Sequence, residues 1–304
     1  MTLEHKKEVK KSTKIILAVL LLILAVGGYF GLTIYKTYLA GNVTGNEKYI
    51  YIKTGATYDE FLNNLASKEI LKDLNTFKAA AGKMNLANAL KPGRYAVKSG
   101  MNNRTLINKL KSGNQDAVSL KFQNIRKKEN FAAYLPKNME ADSLSFIKML
   151  DSSALVEKHG FNTENVYTMF IPNTYDIYWN SSPEAFFDKM LKQYQKFWNS
   201  ERKQKAAALN LSPIQVSILA SIVDAEALYD KEMPTIAGLY LNRLNRGILL
   251  QADPTVIYAN DDFTIKRVLN SHLSKNSPYN TYKYAGLPPG PIMLPSINAI
   301  DGVL

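Results

Sequence analysis

The sequence predicts an α+β protein with a single N-terminal transmembrane helix, a small α+β subdomain and a larger mixed α/β domain. Three observations predict this class. A long uncharged segment lies near the N-terminus, strand-like and helix-like patterns alternate over residues 46–115, and mainly helical patterns broken by loops fill residues 116–304. With 304 residues, 46% of them hydrophobic and 21% charged, the chain has the composition of a folded protein.

The segment from Ile15 to Tyr35 contains no charged residue, and about 20 apolar residues allow a helix to cross a bilayer. We therefore predict a transmembrane helix at residues 15–36, preceded by a tail at residues 1–14. The tail is rich in lysine, so it should stay in the cytoplasm while the rest of the chain faces outward. A cleaved signal peptide is the alternative, but the apolar run is long for one, and Tyr38-Leu39-Ala40 lacks the small-residue pattern of a cleavage site.

The formal net charge of +12 makes the chain basic. An outward-facing domain meets anionic lipids and cell-wall polymers, so we expect no nucleic-acid partner, although the charge can equally serve solubility. The absence of cysteine excludes disulfides and thiolate chemistry. The scattered histidines show no metal-ligand spacing, and no phosphate loop, dinucleotide fingerprint or serine nucleophile elbow is present. The sequence therefore predicts neither a metal nor a cofactor.

Residues 46–115 have the pattern of one small subdomain. A β-rich run at residues 49–53 precedes a helical stripe, and a Pro92-Gly93 turn leads to a second strand and then to a helix that ends at Gly113. Residues 116–200 are mainly helical in pattern, and their aromatic side chains recur at helical spacing, which favours a role in the core.

A helix is predicted to begin at Ser212-Pro213, because serine caps free backbone N–H groups and proline is tolerated at the first helical position. Ile214, Ile218 and Ile222 recur every four residues, and one further step of four reaches Glu226. A glutamate on such a stripe is partly desolvated, which raises its pKa and suits it to act as a general acid. Asp224 lies about 200° around the helix and should face elsewhere. Alternatively, Glu226 pairs with a buried arginine such as Arg243.

The segment at residues 250–255 places Gln251, Asp253 and Thr255 around a proline turn. An amide, a carboxylate and a hydroxyl at this spacing are suited to binding sugar hydroxyls, although the same residues can form a turn that merely caps a helix. Residues 277–282 and 286–291 combine proline, glycine, tyrosine and asparagine, a composition typical of loops that carry functional sites.

Several ordered motifs resemble the MltG/YceG family of endolytic murein transglycosylases. They are Ala220-Ser221-Ile222-Val223-Asp224-Ala225-Glu226, Leu241-Asn242-Arg243-Leu244, the run from Leu250 to Tyr258, Tyr279-Asn280-Thr281-Tyr282, and the run from Gly286 to Ile292. The resemblance implies that residues 46–115 form a LysM-like subdomain and residues 116–304 a YceG-like catalytic domain. It assigns catalysis to Glu226, the second acidic position of the family's Ile-[Ile/Val]-Glu-x-Glu stretch. Gln251, Asp253, Asn280 and Tyr282 become candidate glycan contacts.

By the same resemblance, the chain is expected to be a peptidoglycan lytic transglycosylase of the bacterial cytoplasmic membrane, with its catalytic part outside the cytoplasm. It should cut MurNAc–GlcNAc bonds in nascent glycan strands and leave 1,6-anhydro-MurNAc ends. The implied partners are peptidoglycan strands, the cytoplasmic membrane and cell-wall synthases of the penicillin-binding class.

Two departures from the family pattern stand out. The family's Glu-Gly-x-x-x-Pro-Asp-Thr-Tyr stretch lacks both acids here, because Tyr167 and Asn173 occupy their positions. Family members also continue beyond the region that ends here at Leu304, so the chain is expected to be C-terminally incomplete.

Two other functions remain open at this point: a non-catalytic glycan-binding scaffold, and a two-carboxylate hydrolase with Asp253 as the second acid. A hydrolase would need carboxylates roughly 5–5.5 Å or roughly 6.5–9.5 Å apart.

Overall fold

A computed structural model describes residues 3–304, with side chains from residue 14 onward, so Met1 and Thr2 of the predicted tail lie outside the described residues. The chain divides into two compact units, Met1–Asp116 and Ala117–Leu304. The helices are α1 (Leu3–Ile34), α2 (Tyr58–Ser67), α3 (Leu74–Lys83), α4 (Asn103–Ser112), α5 (Lys128–Tyr134), α6 (Ser143–Leu150), α7 (Ser153–Glu157), α8 (Pro183–Phe197), α9 (Ser200–Ala208), α10 (Pro213–Glu226), α11 (Met233–Asn245), α12 (Asp253–Asn260), α13 (Asn270–Leu273) and α14 (Ile297–Val303). The strands are β1 (Tyr49–Ile52), β2 (Gly93–Ala96), β3 (Val118–Phe122) and β4 (Asn173–Ile177).

Helix α1 contains the predicted membrane span. Within the described residues, one helical segment, Lys14–Leu39, is long and apolar enough to cross a bilayer, and its most apolar stretch has a mean hydropathy of 2.7. The helix begins at Leu3, inside the predicted tail, because lysine and glutamate are good helix formers and the charge boundary near residue 14 does not end the helix. A π-helical turn at Tyr35–Leu39 follows α1.

The first unit has the element order β1-α2-α3-β2-α4, with β1 and β2 paired antiparallel from Tyr49 opposite Ala96 to Ile52 opposite Gly93. The predicted strands and helices are confirmed, including the end of α4 at Gly113, which has a φ of 70°. Helix α3 was not predicted, although Asp73 caps it by accepting hydrogen bonds from two backbone N–H groups.

A buried amide pair ties the π-helical turn to this unit. Asn103 is fully buried and donates to the Thr37 carbonyl at 2.9 Å, and Asn42 donates to the Asn103 side-chain oxygen at 2.8 Å. The Asn42 amide also exchanges two hydrogen bonds of 2.8 Å with the backbone of Asp73. A buried polar group left without a partner costs about 1–3 kcal/mol, so these bonds fix where the segment that follows α1 joins the unit.

In the second unit, β3 and β4 pair antiparallel, with Phe122 opposite Asn173 and Leu120 opposite Tyr175. This strand pair was not predicted, since the sequence pattern of residues 116–200 is mainly helical. Helices α5, α6 and α8 pack over it around a core of aromatic rings that includes Phe131, whose ring centroid lies 4.8 Å from that of Phe170. The prediction that these aromatic residues belong to the core is confirmed.

Helix α10 lies at the centre of the second unit. It begins as predicted, with Ser212 in a capping box and Pro213 in the first turn. The expected apolar stripe is only part of its buried surface, because every residue from Val216 to Val223 is buried. The two serines in this run satisfy their hydroxyls on the helix backbone: Ser217 donates to the Pro213 carbonyl at 3.0 Å, and Ser221 to the Ile218 carbonyl at 2.7 Å. A helix that is apolar all round is a core helix.

Candidate active site

Glu226 is the last residue of α10, where the buried core helix reaches solvent. Among the described residues, its carboxylate accepts no hydrogen bond and lies in no ion pair with a lysine or arginine. Partial burial raises the pKa of Glu226, and the negative charge of Asp253 raises it further. The partial negative charge at a helix C-terminus acts in the same direction. Glu226 is thus an accessible carboxyl group whose pKa lies above the usual glutamate value.

The alternative pairing of Glu226 with Arg243 is wrong. The Arg243 guanidinium donates from Nε to the Leu249 carbonyl at 2.7 Å and from Nη2 to the Gln251 side-chain oxygen at 2.5 Å. Its hydrogen bonds therefore hold the loop that precedes α12, not the carboxylate at the end of α10.

Asp224 faces away from Glu226, as its position on the helix predicts. Its carboxylate accepts hydrogen bonds from the Ser296 backbone N–H at 2.7 Å and from the Ser296 hydroxyl at 3.1 Å. Burial raises the pKa of Asp224, although the bonds from Ser296 act in the opposite direction. Because Ser296 is the N-cap residue of α14, Asp224 attaches that helix to the core.

Asp253 and Tyr282 form a hydrogen-bonded pair beside Glu226. The Tyr282 hydroxyl donates to Asp253 Oδ1 at 2.6 Å. This bond, together with partial burial and the nearby charges, raises the pKa of Tyr282 to about 12. Asp253 is the first residue of α12, while Ala252 is its N-cap residue and makes no side-chain cap, so the alternative of a side-chain helix cap at this turn is wrong.

Tyr240 on α11 is a further site residue, which the sequence analysis did not single out. Its ring is buried, and burial followed by the charge of Glu226 raises its pKa. The hydroxyl therefore keeps its proton and can donate a hydrogen bond near the glutamate. The residue pattern alone gives no signal of this role, because a tyrosine at a helical core position looks the same with or without a carboxylate beside its hydroxyl.

A buried threonine pair joins the two loops that supply these groups. The hydroxyls of Thr255 and Thr281 lie 2.7 Å apart, and the Thr281 hydroxyl accepts from the Ala252 N–H at 3.0 Å. The Gln251 N–H donates to the Thr281 carbonyl at 3.1 Å, while Gln251 adopts a φ of 55°. A non-glycine residue in this left-handed region is strained, so the surrounding bonds hold Gln251 in a defined position.

Asn280 occupies a different place from the other predicted contacts. It is fully buried, its amide donates to the carbonyls of Leu273 and Lys275 at 2.9 and 2.8 Å, and its side-chain oxygen accepts from the Tyr282 N–H at 3.1 Å. The structure therefore brings Gln251, Asp253 and Tyr282 together at the surface and leaves Asn280 beneath them. Asn280 shapes the loop that presents Tyr282.

The positions that depart from the family pattern are occupied by side chains with other roles. Tyr167 is buried, and its hydroxyl donates to the Ile125 carbonyl at 3.1 Å. Asn173 opens β4. The loop at residues 286–291 contacts the segment just before Tyr167. Gly290 packs so closely on the Glu164 carbonyl that a Cβ atom would overlap it.

The profile of the YceG-like family matches residues 50–304, so the chain belongs to the YceG-like family. It is 27% identical over 274 residues to a Bacillus subtilis (strain 168) protein named endolytic murein transglycosylase, covering 84% of this chain and 74% of that protein. It is 26% identical over 326 aligned residues to a protein of the same name from Streptococcus pneumoniae (strain ATCC BAA-255 / R6), covering 93% of this chain and 57% of the relative. The chain thus spans little more than half the length of the pneumococcal protein.

The fold is also similar to a solved structure. A 2.6 Å crystal structure of a YceG-like protein from Listeria monocytogenes matches with a TM-score of 0.53 and 24% sequence identity, covering 84% of this chain and 88% of that chain. At this identity the likeness concerns the fold alone.

The electrostatics of the site predict a measurable effect of Asp253 on Glu226. In an Asp253→Asn variant, the asparagine oxygen can still accept from Tyr282, but the neighbouring negative charge is gone, so the pKa of Glu226 should fall while burial keeps it above the usual glutamate value. Titration of ¹³C-labelled glutamate carboxyls by NMR, with Glu226→Gln used to assign the signal, measures it. Asp188→Asn, an exposed change on α8, is the matched control. An unchanged Glu226 titration in Asp253→Asn would show that the two carboxylates are not coupled.

Proposed function

We propose that the chain is an endolytic lytic transglycosylase of peptidoglycan that cuts MurNAc–GlcNAc bonds in nascent glycan strands and leaves 1,6-anhydro-MurNAc ends. The observation that carries the proposal is Glu226, an accessible carboxyl group with a raised pKa and no ion-pair partner among the described residues, at the end of a buried helix. Membership of the YceG-like family and the names of the Bacillus and Streptococcus relatives support it.

One carboxyl group can perform both proton transfers of this reaction. Protonated Glu226 donates its proton to the glycosidic oxygen that leaves C1 of the muramic acid, so the C1–O bond breaks and a GlcNAc hydroxyl forms. The Glu226 carboxylate then accepts the proton of the muramic C6 hydroxyl while that oxygen bonds to C1. The raised pKa suits the first step, because the acid has to hold its proton until the substrate is bound.

We propose that Gln251, Asp253 and Tyr282 contact the glycan. Asp253 and Tyr282 interact electrostatically with Glu226, and Gln251 lies two residues before Asp253 with an exposed side chain. Asn280 would act indirectly by holding the loop in place. The Tyr240 hydroxyl would donate to Glu226 or to the sugar between them.

A two-carboxylate hydrolase is the second candidate, because the charge of Asp253 acts on Glu226. In that reaction, Asp253 would activate a water molecule or attack C1 while Glu226 protonates the leaving oxygen. The hydrogen bond from Tyr282 favours the first proposal, since it occupies Asp253 Oδ1 and stabilises that carboxylate as a fixed binding group.

We also propose that α1 anchors the chain in the bacterial cytoplasmic membrane with the N-terminus inside. Cell-wall synthases of the penicillin-binding class are candidate partners at this membrane. The lysine-rich tail supports this orientation. An alkaline phosphatase fused after Leu304 should be active in intact bacterial cells. If it is inactive while a cytoplasmic reporter at the same point is active, the orientation is wrong.

Residues 46–115 would act as a LysM-like glycan-binding subdomain, a role supported by their strand-helix-helix-strand order. In a sedimentation assay with insoluble peptidoglycan, the exported residues 41–304 should bind more tightly than residues 117–304 alone. Equal binding of the two fragments would remove the first unit from substrate recognition.

A Glu226→Gln variant tests catalysis directly. Glutamine keeps the size and most hydrogen bonding of glutamate but cannot transfer the proton, so the rate of strand cleavage should fall by about 10²–10⁴-fold. The measurement is digestion of purified glycan strands, and Glu184→Gln, an exposed change on α8, is the control and should match the wild type. Full activity of Glu226→Gln would remove this residue from the mechanism, and the absence of any wild-type cleavage would favour a glycan-binding scaffold.

A further inference from the structure

Two adjoining hollows of the second unit form a groove that starts at the end of α10, where it is lined by Ala225, the sequence neighbour of Glu226. The first has a volume of about 340 Å³ and lies between Asp224-Ala225 at the end of α10 and Pro254 at the start of α12. The second has a volume of about 680 Å³ and lies against α5. The linings of the two hollows share Asn124, Arg126 and Phe263, so the hollows adjoin one another. The groove therefore begins at the sequence neighbours of Glu226 and Asp253 and leads away from them.

The charge of this groove comes from two cations that have no acidic partner in the described part of the chain. Arg126 opens a run of three basic residues, of which Lys127 pairs with Asp261 and Lys128 pairs with Asp151 at 2.5 Å. Among the residues that the structure describes, the Arg126 guanidinium makes neither a hydrogen bond nor an ion pair. Its carbon Cζ lies 4.8 Å from the centroid of the Phe263 ring. An arginine that packs on an aromatic face and has free N–H donors is suited to bind a carboxylate through two parallel hydrogen bonds.

Lys137 supplies the second positive charge at the far end of the groove. It is exposed, and its Nζ lies 6.0 Å from the centroid of the Tyr134 ring. The acid in the lining of the near hollow is Asp224, whose oxygens already accept from Ser296. No acid is among the described residues that line the far hollow. The amides of Asn124 and Asn130 add groups that can bond to a peptide backbone. The groove thus fits an extended anionic chain with amide groups.

We propose that this groove binds the stem peptide of peptidoglycan, with Arg126 and Lys137 receiving its carboxylates; the inference rests on the proposed transglycosylase function. Each muramic acid of a glycan strand carries a peptide with free carboxylates on its lactyl group. A muramic residue placed at Glu226 projects that peptide away from the sugar backbone, and the groove begins at Ala225 and Pro254, the sequence neighbours of Glu226 and Asp253. The subsite selects muramic residues that carry a peptide over bare ones.

The test compares two substrates that differ only in the peptide: peptide-bearing glycan strands, and the same strands stripped by an N-acetylmuramoyl-L-alanine amidase. The measured quantity is the ratio of kcat/KM on the peptide-bearing strands to kcat/KM on the stripped strands. Arg126→Ala and Lys137→Ala should each lower this ratio about three- to fivefold, and the double variant about tenfold. Arg126→Lys should restore part of the ratio. High salt should reduce the wild-type ratio, because the contacts are exposed to solvent.

Lys192→Ala, an exposed change on α8 outside the groove, is the control and should leave the ratio at its wild-type value. If the wild type cleaves both substrates and the groove variants keep its ratio, the peptide subsite is wrong and the proposed function stands. If the wild type cleaves neither substrate, the proposed function fails and the subsite fails with it. A variant that loses its fold loses activity on both substrates together. In that case the double variant of Arg126→Lys with Lys137→Arg, which keeps both charges, tests the subsite and should keep most of the wild-type ratio.

Discussion

The burial of α10 from Val216 to Val223 is the constraint on which the rest of the second unit depends. Its residues from Val216 to Val223 are enclosed by neighbouring helices, so neither the axis nor the rotation of the helix can change without disturbing the core. The carboxylate of Glu226 stands on the next turn, at the point where this packing ends. A rigid core helix therefore sets the position of one accessible acid, which is the arrangement that a general acid needs.

The same burial explains why neighbouring acids on one helix have different tasks. A two-residue step turns the side chain about 200° around the axis, so Asp224 meets Ser296 and attaches α14 while Glu226 is exposed to solvent. The second half of the site is built separately, by the Thr255–Thr281 hydrogen bond that joins the start of α12 to the 279–282 loop. The site thus combines a residue fixed by apolar packing with residues fixed by a buried polar network, and loss of either partner of that network would leave a buried hydroxyl unpaired.

The sequence could predict the features that depend on local chemistry. Ser212 and Pro213 marked the start of α10, the four-residue spacing pointed to Glu226, and Gly113 marked the end of α4, because caps and helical periodicity act within a few residues. It could not predict the burial of Asn280 or the use of Arg243 on the 249–251 loop, which depend on tertiary contacts. The sequence also could not predict that Arg126 is the unpaired member of its basic run. That depends on the ion pairs of Lys127 with Asp261 and of Lys128 with Asp151, and both aspartates are distant in sequence. The β3–β4 pair was missed because two five-residue strands far apart in sequence carry little periodicity.

The central claim is that the muramic C6 hydroxyl, and not water, attacks C1 once Glu226 has protonated the leaving oxygen. Digestion of purified glycan strands in ¹⁸O-labelled water, followed by mass spectrometry of the new muramic ends, tests this claim directly. The account predicts anhydro ends that are one water lighter than reducing ends and contain no ¹⁸O. Reducing ends that carry ¹⁸O would contradict it and would identify the chain as a hydrolase.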